Sequence, residues 1–157
     1  MPDPFAVDNV DKLKMPTASQ AAGLTRNVAR MIVTAALGVG RDIGVAFSCA
    51  VVDSGGLLVV FERMDAAELV TVELAIDKAF TAVTNQVPTA DLAALSQPGA
   101  ELYGYASVAG GRMVIFSGGV PLFRNGVLVG GMGVSGGTVA EDQSAAEAGV
   151  AAFAGLA

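Results

Sequence analysis

Histidine and tryptophan are absent from this chain of 157 residues, and cysteine occurs once, at Cys49. Without histidine the chain lacks the commonest metal ligand and the usual acid–base residue, so a Ser-His-Asp triad is impossible. The same absence argues against a zinc site, and a single cysteine cannot form an internal disulfide. We therefore expect no zinc site of the ordinary type and assign no metal-binding residue.

Charged residues are also scarce, at 15% of the chain, and positive charge is the scarcer sign. Nine Lys and Arg against fifteen Asp and Glu give a net charge of −6, with no basic stripe that could release counterions. Neither nucleic acid nor a membrane is therefore expected as a partner. No uncharged run is long enough to span a bilayer and the N-terminus resembles no targeting signal, so we expect a cytoplasmic protein.

Apolar residues make up 53% of the sequence, which is ample for one hydrophobic core. We interpret residues 1–16 as an irregular arm and residues 17–157 as a single domain. Helical periodicity begins near Thr17 and again at Glu68, and a last helix follows a capping box at 138–141. The second helix is expected to bury the face that carries Leu69, Val72, Ile76, Ala79 and Val83.

Five strands are expected, in two groups joined by hairpins. They are residues 44–52, the run from Leu57, and residues 112–116, 120–123 and 127–134. An Asp-Ser-Gly-Gly turn follows the first of these strands, and Asn125-Gly126 precedes the last. The predicted fold is therefore α+β, with a five-stranded antiparallel sheet and helices packed on it.

The segment Gly131-Met-Gly-Val-Ser-Gly136 matches the G-x-G-x-x-G pattern of dinucleotide-binding folds. That motif opens a βαβ unit, whereas only a helical pattern follows Gly136, so a dinucleotide site is not expected. Two interpretations of the turn stay open. Its N–H groups at Gly136, Gly137 and Thr138 hold a carboxylate or phosphate, or the turn simply caps the last helix.

Three charged residues are candidates for a site. Lys78 is either a ligand-binding cation or base, or a solvated side chain paired with Glu73 or Asp77, which the local pattern favours. Arg63 ends the second strand, and it is either a residue that binds an anionic ligand or an ordinary surface residue. Asp142 lies in the first turn of the last helix, where carboxylates usually complement the helix dipole.

Other candidate ligands are few. Cys49 lies in the middle of an apolar strand, which favours a buried, inert thiol over a thiolate ligand. Tyr103 and Tyr105 lie in a glycine-containing segment that we interpret as a mobile loop. They are core aromatics or pocket residues able to bind iron or donate a proton.

Several stretches together resemble one protein family. They are Arg63-Met-Asp65, Lys78-Ala-Phe-Thr-Ala82, Phe116-Ser-Gly-Gly-Val-Pro-Leu122, Gly133-Val-Ser-Gly-Gly137 and Glu141-Asp-Gln143. Their order and spacing resemble the haem-degrading-domain family, also called GlcG/HbpS-like, which includes the C-terminal domains of PduO-type cobalamin adenosyltransferases. The resemblance covers about residues 17–155, and the GGVPL and GVSGG segments are its most specific part.

The resemblance implies a profilin-like fold, a homo-oligomer and a small-molecule ligand, haem or another tetrapyrrole. It implies a pocket lined by Arg63, Lys78, Gly118, Gly119, Pro121, Ser135, Gly136, Gly137 and Asp142. Some members bind haem iron through histidine, which this chain lacks. We therefore expect weak iron ligation by Tyr103, Tyr105, Cys49, a methionine or water.

Three functions compete at this point. The favoured one is tetrapyrrole binding, with the propionates held by Arg63, Lys78 or the Gly136–Gly137 turn. The second is a metal-free isomerase, lyase or hydrolase of a catabolic pathway, with Lys78 or Asp142 as general base and Arg63 as carboxylate clamp. The third is a structural oligomer that partners an enzyme and fills its pocket with its own side chains.

Overall fold

The computed structural model describes residues 18–156, so the arm expected at residues 1–16 lies outside the described residues. The helices are α1 (Ala18–Ala21), α2 (Arg26–Ile43), α3 (Val70–Asn85), α4 (Leu92–Leu95), α5 (Val108–Gly111) and α6 (Val139–Ala154). The strands are β1 (Ser48–Asp53), β2 (Leu58–Arg63), β3 (Gly119–Arg124) and β4 (Val127–Ser135). Single 3₁₀ turns occur at Thr89–Asp91 and Tyr105–Ser107.

The sheet has the order β2-β1-β4-β3, and every neighbouring pair is antiparallel. Two of its three pairings join consecutive strands, and left-handed backbone at Asn125 and Gly126 closes the second hairpin. One face of the sheet packs on α2 and α6, through a core that includes Phe47 and Met132. The other face packs on α3, mainly through alanine and valine. The expected α+β fold with an antiparallel sheet is confirmed.

The expected number of strands is wrong: residues 18–156 contain four strands, not five. The segment 112–116 has the apolar character of a strand, but it pairs with no strand. The hydroxyl of Thr81 on α3 accepts a hydrogen bond from Val114 N at 3.0 Å, and it shares its one proton between Asp77 O at 2.7 Å and Arg112 O at 3.1 Å. A side chain of α3 thus supplies the contacts that a neighbouring strand would make. The profilin-like classification stays a prediction.

The helix expected from Thr17 is divided in the described residues. Gly23 has a φ of 98°, which ends α1, and the guanidinium of Arg124 lies against it. Thr25 then starts α2 as its N-cap, accepting a hydrogen bond from Val28 N. Helix α6 begins as expected, because Thr138 and Glu141 form the reciprocal capping box.

Helix α3 packs closely on β4 because the facing strand positions are glycines. A Cβ added at Gly133 would overlap the carbonyl oxygen of Ala75, and one at Gly131 would lie 2.6 Å from a methyl of Val83. Gly131 and Gly133 of the dinucleotide-like motif are therefore packing positions inside a strand, whereas Gly136 lies in the turn after β4. The expected face is confirmed in part: Ala79 and Val83 are buried, whereas Leu69 precedes α3 and is 80% exposed. The residues of α3 that are buried are Thr71, Ala75, Lys78, Ala79, Thr81, Ala82 and Val83.

Candidate functional site

The residues that the resemblance implies lie mostly at one end of the sheet, which we call the rim. Strands β2 and β4 end at the rim, at Arg63 and Ser135, while β1 and β3 begin there, at Ser48 and Gly119. Ser48 pairs with both Arg63 and Ser135, so these three residues form one row on the face that α3 covers. Helix α6 begins just beyond the rim, after the turn at residues 136–138.

A buried ion pair joins α3 to α6 at the rim. Lys78 Nζ lies 2.6 Å from Asp142 Oδ2, and it also donates to the carbonyl oxygen of Val134 at 2.9 Å. The Lys78 side chain is fully buried and that of Asp142 is 4% exposed. Burial lowers the pKa of Lys78 from its usual value, and the hydrogen bond and charge of Asp142 partly oppose this shift.

This pairing overturns the solvated role that the local sequence favours for Lys78. Asp77, one of the two expected partners, instead accepts a hydrogen bond from Arg112 Nε at 2.8 Å. Lys78 lies three residues after Ala75 and four before Ala82, both of which are buried, so it is on the side of α3 that faces the sheet. The ammonium group of Lys78 reaches Asp142 beside Gly118, just before β3 begins.

Gly118 and Gly119 leave room for this pair. A Cβ at Gly118 would lie 3.0 Å from Lys78 Nζ and 2.6 Å from Val134 O, and Gly118 has a φ of 110°. Gly118 N donates to the side chain of Gln143 at 3.2 Å, which ties the start of β3 to α6. Pro121 is buried further along β3, opposite Gly131, and is not part of the rim.

The turn before α6 already has its own carboxylates as acceptors. Gly137 N donates to Asp142 Oδ1 at 2.9 Å, and Thr138 N donates to Glu141 Oε2 at 2.8 Å. Gly136, with a φ of 147°, packs on the carbonyl of Ala46, where a side chain would collide. These contacts favour the helix-capping interpretation of the turn over an external anion.

Arg63 differs from Lys78 because it is exposed, and no acid pairs with it among the described residues. Its neighbour Ser48 shares a hydrogen bond of 2.7 Å with the hydroxyl of Thr71, which in turn donates to Glu68 O. Ser135 is buried beside Ser48, with no hydrogen bond from its hydroxyl within residues 18–156. Among the described residues, the row thus offers an exposed guanidinium at Arg63 and a hydroxyl at Ser135 as groups that could contact a ligand.

Large apolar side chains are exposed around this row. Leu69 and Val70 begin α3 next to Thr71, and Val139 begins α6; each is more than half exposed. Phe116 is 38% exposed, and its ring centroid lies 5.0 Å from Lys78 Nζ. No site role was expected for Phe116, Ser48 or Thr71, since their significance depends on contacts between distant segments.

Of the candidate iron ligands, Cys49 and Tyr105 lie away from the rim, whereas Met64 directly follows Arg63 and its sulfur accepts a hydrogen bond from Phe47 N. Cys49 is fully buried on the α2 side of β1, and burial raises the pKa of its thiol above the usual 9.0. Tyr105 donates its hydroxyl to Asn85, whereas Tyr103 is exposed. No three His, Cys, Asp or Glu side chains converge as a metal site in residues 18–156.

Two surface cavities lie elsewhere. One, of about 490 Å³, is lined along α2 by Asn27, Arg30, Met31, Thr34 and Ala35. The other, of about 410 Å³, is lined by Glu73, Ile76, Asp77, Gly110, Gly111 and Arg112, between α3 and α5. Within the part of the chain that the structure describes, no helix has the length and apolarity to cross a bilayer.

Known proteins share this fold and much of this sequence. The chain is 40% identical over 137 residues to the corrinoid adenosyltransferase PduO of Citrobacter freundii, covering 87% of this chain and 41% of that protein. The chain therefore spans less than half the length of that relative.

Two crystal structures are also similar. The Klebsiella pneumoniae protein ORFY has a TM-score of 0.83 and 34% identity, with 85% of this chain and 92% of that chain covered. A PduOC:heme complex has a TM-score of 0.80 and 40% identity, with 82% and 94% covered. The model of the family described as haem degrading protein HbpS-like matches residues 24–151. The chain belongs to this HbpS-like family.

Proposed function

We propose that the rim of this protein binds haem or another tetrapyrrole and that iron ligation contributes little. The observation that carries the proposal is the combination of Arg63, with which no acid pairs within residues 18–156, with four exposed apolar side chains, in a chain 40% identical to a domain crystallised with haem. A porphyrin has a large apolar face and two carboxylates, so this combination matches both parts of the ligand.

The charges at the rim favour Arg63 as the partner of a propionate. Lys78 is fully buried and already neutralised by Asp142, so contact with a propionate would require breaking that pair. The N–H groups of Gly137 and Thr138 are likewise occupied by carboxylates of the protein. In this proposal Gly118, Gly119 and Gly136 shape the floor of the site and do not bind charge.

The absence of histidine and the burial of Cys49 leave no strong iron ligand at the rim within the described residues. Binding energy would then come from burial of the macrocycle and from the carboxylate contacts. We also propose a homo-oligomer, because the same exposed apolar side chains suit a contact with a second subunit.

Titration with haemin and with iron-free protoporphyrin IX tests this function. We expect one ligand per chain, a Kd on the order of 1 μM and affinities for the two ligands within about tenfold of each other. Arg63→Ala should weaken both about tenfold, while the exposed Arg26→Ala at the start of α2 should change neither. Light scattering of the same samples reports the oligomeric state.

Two results would contradict the proposal. A haemin affinity about a hundredfold or more above that of protoporphyrin would reveal a strong iron ligand. No binding of either compound would shift the assignment to the second candidate function, a metal-free enzyme. The Lys78–Asp142 pair favours this second function, because it places an amine of lowered pKa within 2.6 Å of a proton acceptor.

A further inference from the structure

The ammonium group of Lys78 has three N–H donors, and two of them have oxygen acceptors, on Asp142 and Val134. The ring of Phe116 also lies near Nζ, with its centroid 5.0 Å away. An aromatic ring attracts a cation but replaces an oxygen acceptor only in part. One donor of a fully buried ammonium group is therefore less well satisfied than the other two.

Phe116 is a partly exposed neighbour of this ammonium group. Phe116 is 38% exposed, whereas Lys78 is fully buried. Residues 115–118 belong to no helix or strand, so rotation of the ring requires no strand pair to break. Gly118 has no side chain beside Nζ, and a Cβ there would be only 3.0 Å from the nitrogen. Displacement of this ring is therefore the movement that we expect to bring a small molecule to Nζ.

We propose that Lys78 is an imine-forming amine for small, uncharged aldehydes or ketones, with Asp142 as its proton relay and Phe116 as its cover. The proposal rests on the second candidate function and specifies its reaction and substrate class. An uncharged substrate is inferred because the aromatic cover is apolar and Asp142 already balances the charge of Lys78.

The reaction balances with groups that are present. The ammonium of Lys78 gives a proton to Asp142 Oδ2, across 2.6 Å. The free amine forms a bond to the carbonyl carbon, the π electrons move to oxygen, and a proton passes from nitrogen to that oxygen. Asp142 then protonates the hydroxyl, water leaves, and the nitrogen forms the C=N bond. The products are a protonated imine, a carboxylate and one water.

The geometry suits the product as well as the reactant. A protonated imine keeps its positive charge, so the buried carboxylate of Asp142 stays paired throughout. Gly137 N holds the other carboxylate oxygen at 2.9 Å and fixes its orientation. Burial lowers the pKa of Lys78, which raises the fraction of free amine relative to a solvated lysine.

Reductive trapping tests the proposal on the full chain. The protein is incubated with acetaldehyde and cyanoborohydride at neutral pH, and ethylation is followed by peptide mass spectrometry. The sequence has three lysines, and Lys12 and Lys14 serve as reference amines in the same molecule. We expect Lys78 to be ethylated at least about tenfold faster than both, because desolvation activates an amine.

Variants distinguish the chemical activation of Lys78 from the accessibility of its amine. Phe116→Ala should increase the Lys78 rate further, while Phe123→Ala, which removes another partly exposed ring on β3, should not. Asp142→Asn should slow Lys78 by about 10²-fold if it folds, as expected for loss of a proton relay. The Phe116 and Phe123 variants alter partly exposed side chains, so they keep the test informative if Asp142→Asn is unfolded.

If the Lys78–Asp142 pair is purely structural, Lys78 should be ethylated more slowly than Lys12 and Lys14. If Lys78 is ethylated no faster than Lys12 and Lys14 in both the wild type and Phe116→Ala, the proposal is overturned. Trapping involves no tetrapyrrole, so its failure would leave the haemin titration unaffected. Conversely, absence of tetrapyrrole binding would not change the ethylation rates.

Discussion

Lys78→Met removes the cation of the buried ion pair and leaves the carboxylate of Asp142 in place. That carboxylate is on a side chain only 4% exposed, and its one remaining described donor is Gly137 N. Removing one partner of a buried pair costs about 3–5 kcal/mol, because the remaining charge is desolvated and unpaired. Domains have a total stability of about 5–15 kcal/mol, so we expect a large fraction to be lost.

The double variant Lys78→Met with Asp142→Leu should be more stable than Lys78→Met alone. Both charges are then replaced by apolar side chains, so no unpaired carboxylate remains and only the contacts to Val134 O and Gly137 N are lost. A double-mutant cycle with Asp142→Leu as the second single variant should give a coupling of about 2–3 kcal/mol.

Urea denaturation followed by circular dichroism measures these differences, provided that the slopes of the transitions agree. Asp77→Asn is the matched control, because Asp77 is next to Lys78 and pairs with Arg112 in a bridge whose side chains are 23% and 41% exposed. An exposed pair contributes about 0–1 kcal/mol. If Lys78→Met costs no more than Asp77→Asn, the inference that the buried pair joins α3 to α6 is wrong.

Local signals predicted much of the fold. The Asn125-Gly126 turn adopts the left-handed backbone that the sequence suggests, and the capping box at residues 138–141 starts α6. Each of these features depends on residues within four positions of one another. The antiparallel sheet follows from two such hairpins, so it was also predictable.

The errors come from contacts between distant segments. The apolar run 112–116 has the composition of a strand, but Thr81, more than thirty residues earlier, takes its backbone hydrogen bonds. Helix α3 buries a side rich in alanine because β4 presents glycines, whereas hydrophobicity alone selected the side with Leu69. Size complementarity between a helix and a sheet is not visible in one periodic pattern.

In the candidate site, too, local sequence signals failed where the contact joins distant segments. The resemblance brought Lys78 and Asp142 together, although 64 positions separate them. Local reasoning favoured Glu73 or Asp77 as partners, because those acids lie near Lys78 in sequence. A signal for burial was present, since Lys78 has the same helical spacing as Ala75 and Ala82. The proximity of Phe116 to Lys78 could not be predicted, because it depends on where the irregular segment lies.

Two further predictions concern packing and the single thiol. Gly133→Ala should lower the free energy of unfolding by about 3 kcal/mol, because its Cβ would overlap Ala75 O. Gly38→Ala, at a position of α2 where a Cβ meets no close neighbour, should raise the free energy of unfolding by about 1 kcal/mol. Equal effects in urea denaturation would argue against the close approach of α3 to β4. Native Cys49 should not react with a thiol reagent, because burial raises its pKa, whereas the unfolded chain should react at once. The pKa of Cys49 is higher in the folded state than in the unfolded chain, where it is about 9.0. The contribution of the protonated thiol to stability is therefore complete below pH 9.0 and is lost as the pH rises further. The stability of the wild type should therefore fall more than that of Cys49→Ala between about pH 8 and pH 10, and parallel curves would show that the thiol is accessible.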